Sequence, residues 1–102
     1  MGRVPLDWAR LQREFGDGGD IPTVAGGKRL TITAVDDEFV HIKHPLWRDR
    51  LAREHLAKAV DLVEADRMTR HSGLFAEEYR SLVADVRATS VAHVLKHLGV
   101  LE

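Results

Sequence analysis

The chain has 102 residues, 44% of them hydrophobic and 30% charged, with a net charge of −1 and no cysteine. That balance describes one globular domain able to fold on a core alone. It excludes disulfides, thiolate metal sites and a cysteine nucleophile, and gives no global electrostatic case for nucleic acid or membrane as a partner. A domain without disulfides suits a reducing cytoplasm. The longest apolar runs fall far short of the roughly 20 residues that span a bilayer.

The first predicted element is a short helix over residues 7–15. Trp8, Leu11 and Phe15 recur at helical spacing, Asp7 supplies an N-cap and Gly16 a stop. Asp17-Gly18-Gly19-Asp20 follows as a loop. Alternating and β-branched residues then predict two strands, Leu30–Val35 and Phe39–Lys43, around Asp36-Asp37-Glu38. A loop centred on Asp37 sets Ile32 opposite Ile42 and Ala34 opposite Val40, building one apolar face, whereas a two-residue turn would set Ile32 against His41. Residues 21–25 extend the hairpin to a three-stranded meander if Gly26-Gly27 turns the chain, with Pro22 confining that strand to an edge.

His44-Pro45 ends the sheet in this reading. A long helix is expected from Asp49 to Ala65 on the stripe Leu51, Ala52, His55, Leu56, Ala59, Leu62, Val63. After a polar connection, Ser72 caps a third helix with Phe75, Tyr79, Leu82, Val83 and Val86 inward. Thr89 or Ser90 caps a fourth with Val91, Val94, Leu95 and Leu98 inward, and Gly99 stops it. The expected fold class is therefore α+β: a short N-terminal helix, an antiparallel hairpin or meander, then three helices packed on the sheet.

No motif for catalysis emerges. Ser72, Ser81 and Ser90 lie in no nucleophile elbow. Asp36-Asp37-Glu38 read as turn chemistry. Gly26-Gly27-Lys28-Arg29 matches no phosphate loop and leads into a strand rather than a helix. His93 and His97 stand four apart, as zinc ligands often do, but Val94 occupies the position where HExxH has its glutamate, and a third ligand is missing. His41 and His44 point to opposite sheet faces if the strand runs through both.

Two surfaces stand out. Val35 and Phe39 are expected together on the outer sheet face, an apolar patch that would meet a protein partner or a second copy of the chain. Between residues 43 and 58, Lys43, Arg48, Arg50, Arg53 and Lys58 outnumber Asp49 and Glu54, with Trp47 among them. This composition suits phosphate contact with a stacking residue. The expectation is a non-enzymatic interaction module, a homodimer or a subunit of a larger assembly, needing no cofactor. The alternative is a nucleic-acid-binding domain using the 43–58 surface, and a further one is metal binding through His93 and His97.

Overall fold

The computed structural model describes residues 6–23, 28–44 and 46–102. Helix α1 (Trp8–Phe15) leads into strands β1 (Gly19–Pro22), β2 (Arg29–Val35), β3 (Phe39–Lys43) and β4 (Arg48–Ala52). Helices α2 (Arg53–Glu64), α3 (Ser72–Leu82) and α4 (Ala88–His97) follow. The strands form one antiparallel sheet in the order β1-β2-β3-β4. The α+β class, with the short helix first, then the sheet, then three helices, agrees with the sequence.

One face of the sheet is buried and the other open. Ile21, Leu30, Ile32, Val40, Ile42 and Leu51 join residues of all four helices in one continuous core. Each large side chain fully buried there contributes roughly 1.5–3 kcal/mol of transfer free energy. The side chains that alternate with these along the strands remain exposed or half-buried, so among the described residues no helix covers the second face.

The local chemistry explains most element ends. The Asp7 carboxylate accepts from the Arg10 backbone N–H and caps α1. At the end of α1, Gly16 stays right-handed, and Gly18 takes the positive φ of 96° that turns the chain into β1. A Cβ on Gly18 would stand 3.1 Å from the Ile32 carbonyl oxygen. Helix α4 ends as expected at Gly99, where the N–H groups of Gly99 and Val100 donate to the carbonyls of Lys96 and Leu95. Asp66 plays the same left-handed part after α2, with a φ of 58°.

Several expectations need correction. Residues 48–52 are a strand, not the first turn of a helix. They pair with β3 from Lys43↔Arg48 to Phe39↔Ala52, so α2 begins only at Arg53. The helical spacing of Leu51 with His55 disguised this, and pairing against a neighbouring strand outweighs so weak a local preference. Ile32 does face Ile42, but a bulge before Ala34 moves the next pairs to Ala34↔His41 and Val35↔Val40. Helix α3 is capped by the His71 ring nitrogen rather than by Ser72, and the N-cap position of α4 is Arg87 rather than Thr89 or Ser90. Because α3 stops at Leu82, Leu82 and Val86 are exposed instead of inward. The strand expected at 21–25 begins earlier, as Gly19–Pro22, so Gly19 and Asp20 pair with β2 instead of forming a loop, and it lies on the sheet edge as Pro22 requires. Its Gly26-Gly27 turn lies outside the described residues.

Candidate functional site: the open face of the β3–β4 hairpin

The bulge settles the position of Val35. The extra residue in β2 turns Val35 to the same side as Val40, and it is only 8% exposed, within the core. Helix α1 covers that end of the sheet, with the Trp8 indole N–H donating to the Asp36 carbonyl at 2.7 Å. The apolar patch expected from Val35 and Phe39 therefore does not form. Phe39 alone faces outward, and it is half-buried beneath the Arg50 guanidinium, whose carbon lies 4.4 Å from the ring centre.

The same strand pairing that overturned the helix gathers the basic residues. Phe39, His41 and Lys43 of β3 stand opposite Ala52, Arg50 and Arg48 of β4, all on the open face. Lys43, Arg48 and Arg50 are exposed there. Arg48 and Arg50 are two residues apart on one strand, or about 6.6 Å. In a helix starting at Asp49 these two would not have shared a face with Lys43. At the hairpin tip Trp47 stacks on His44 with ring centres 4.6 Å apart, yet it remains 57% exposed, and Leu46 beside it is 89% exposed.

Arg53 and Lys58 do not join this group. Arg53 lies at the opposite end of the hairpin, over the Trp8 ring at 5.1 Å and donating to the Asp37 carbonyl at 3.1 Å. Lys58 is exposed on α2, in the helical layer behind the sheet. A hollow of about 480 Å³ near Arg53 is edged by Asp37, Glu38 and Glu54, which makes it a poor seat for an anion.

Acidic residues near the face are mostly engaged. Asp36 accepts from His41 at 2.6 Å and from the backbone N–H groups of Glu38 and Phe39. The His41 bond, helped by those two N–H groups, pushes its carboxyl down to about 2. Partial burial would raise the Asp49 carboxyl, but the Arg50 N–H and the Arg87 guanidinium outweigh it and hold Asp49 below its usual range.

His93 and His97 are not brought together with a third ligand. The His97 ring meets the Glu14 carboxylate at 2.9 Å and the edge of Phe15, joining α4 to α1. His93 is half-buried, and burial lowers its pKa. Among the described residues no group of three or more His, Asp or Glu side chains stands where it could hold a metal ion. No described helix is long and apolar enough to cross a membrane.

Sequence reasoning missed β4, and with it the shared face of Lys43, Arg48 and Arg50. It also gave no part to Arg87, which binds Asp49 and lines a cleft beside β4. Comparison with known protein families, curated proteins and solved structures finds no match.

Proposed function

We propose that this chain is a binding module for single-stranded nucleic acid, which lies across the open face of the β3–β4 hairpin. One observation carries the reading: cross-strand pairing places Lys43, Arg48 and Arg50 on the same exposed face. A sheet face with a row of cations and nearby rings can follow a phosphate backbone while bases stack. Phe39 and His41 lie in that row, and Trp47 stands at its end, stacked on His44 and more than half exposed. A duplex reader would ordinarily send a helix or ribbon into the major groove, and here the cations sit on a broad sheet rather than on a projecting helix. The test is fluorescence anisotropy of labelled single strands and duplexes. Single strands should bind the intact protein and fail to bind an Arg48→Ala/Arg50→Ala variant. Equal binding by that variant would refute the proposal.

A second reading is favoured by the exposed Leu46 and Trp47, a projecting apolar tip that a protein partner or a second copy could cover. Pairing at the sheet edges is less favoured, since β1 is four residues long with Pro22 in it and β4 alternates charges. Sedimentation would decide for self-association if the mass doubled and a Leu46→Ser/Trp47→Ser variant returned it to that of one chain.

A further inference from the structure

A cleft of about 240 Å³ opens beside β4, between that strand and the α3–α4 connection. Its polar lining is Tyr79, Arg87, Arg50 and His55, and Leu51 and Val91 form part of its apolar wall. Tyr79 is only 1% exposed, and its hydroxyl makes no hydrogen bond among the described residues. No fully buried side-chain oxygen is left without a partner. The hydroxyl is therefore not wholly enclosed, Tyr79 lines the cleft, and no described residue uses that donor. A hydroxyl on a side chain this deeply buried normally finds a partner.

Two arginines, Arg87 and Arg50, line the cleft with that donor. Asp49 holds the Nε of Arg87 at 2.6 Å, which fixes the side chain and leaves its Nη donors over. Among the described residues Arg50 pairs with no carboxylate, and its guanidinium carbon lies 4.4 Å from the Phe39 ring centre. The charge of Arg87 acts on the Tyr79 hydroxyl, opposing the rise in pKa that burial causes. Arg87 also holds a φ of 61° at the start of α4, a left-handed conformation that suits glycine better.

We infer that this cleft binds a phosphomonoester, whose terminal oxygens accept from the Tyr79 hydroxyl and from Arg87 and Arg50, with His55 at the rim. A hydroxyl and two forked cations lining one small cleft suit the several oxygens of a phosphate better than a flat carboxylate. The volume lies below the roughly 300–1,000 Å³ of ordinary small-molecule pockets, so the group is small or is the end of something larger. Two sources offer the same chemistry. Arg50 belongs to both the cleft and the open face, so a strand lying on that face could place its terminal phosphate here. That assignment rests on the nucleic-acid reading. A free small phosphomonoester would not.

The test uses the full chain. Inorganic phosphate is titrated while NMR follows the Tyr79 ring and the arginine Nε–H signals. Short oligothymidylates with and without a terminal phosphate are compared by anisotropy. Phosphate should saturate and shift Tyr79 and Arg87. Tyr79→Phe and Arg87→Gly, one isosteric and the other suited to the left-handed backbone, should each weaken it roughly tenfold or more, as expected for a lost charge-assisted hydrogen bond. A preference for the phosphorylated oligonucleotide that disappears in Arg87→Gly identifies the strand end as the source. Saturation by phosphate with both oligonucleotides bound alike identifies a free phosphomonoester. Saturation by phosphate with neither oligonucleotide bound keeps the cleft and removes the nucleic-acid reading. No saturation, or saturation that both variants leave unchanged in proteins that still fold, overturns the inference.

Discussion

Salt dependence offers the sharpest test of the open face, because its size follows from how many cations share it. Each phosphate neutralised on a single strand contributes about −0.7 to the slope of log K against log salt. Three exposed cations, Lys43, Arg48 and Arg50, stand together. The slope should be about −2, and binding should weaken about twentyfold between roughly 50 and 200 mM salt. Replacing Arg48 with Ala should flatten the slope by about 0.7 and leave a loss of only about sevenfold over the same range. Lys58→Ala is the comparison, since Lys58 has the same charge and lies in the helical layer. Anisotropy titrations at four or more salt concentrations give each slope. If Lys58→Ala flattens the slope as much as Arg48→Ala, the contact is diffuse and the face has no special part in it. A slope near zero for the unaltered protein would mean that phosphates are not neutralised at all.

Stability measurements probe other parts of the structure. Phe75 is fully buried in α3, so Phe75→Ala should lower unfolding free energy by about 3–5 kcal/mol in denaturant melts. Arg87→Gly should melt at or above the unaltered protein by circular dichroism. Arg87→Ala keeps the left-handed strain and should be about 1 kcal/mol less stable than the glycine variant. Asp36 titrates below its unfolded value, so its contribution is complete above pH 3.8 and fades as the pH falls through about 2. His41→Ala removes the largest cause, and NMR titration should show the Asp36 midpoint rising and acid unfolding beginning at higher pH. An unmoved midpoint would show that the two backbone N–H groups suffice.

Much of the fold was legible because apolar spacing and turn residues agreed with one another. Trp8, Leu11 and Phe15 marked α1, and Gly99 marked the end of α4. Strand β4 was not legible. Its burial depends on one residue, Leu51, which fits a helix stripe as well as a strand. The bulge in β2 was equally hidden, since Ala34 and Val35 are both small and apolar and either satisfies the inward pattern. These two misreadings governed the functional picture. One scattered the cations over a helix, and the other placed Val35 outside. The cleft around Tyr79 and Arg87 left no trace in the local pattern. It joins β4, α3 and the start of α4, and depends on long-range packing alone.

The sheet's strand order repeats its chain order, and this has a kinetic consequence. Every strand pairs with its immediate successor, so each hairpin closes only a short loop, with little loss of chain entropy. The two terminal helices are different. Glu14 and His97 meet across 83 residues of sequence, and their contact must wait until nearly the whole chain is ordered. Substitutions at that pair should therefore speed unfolding while leaving the folding rate almost unchanged, whereas substitutions within the β2–β3 hairpin should slow folding itself.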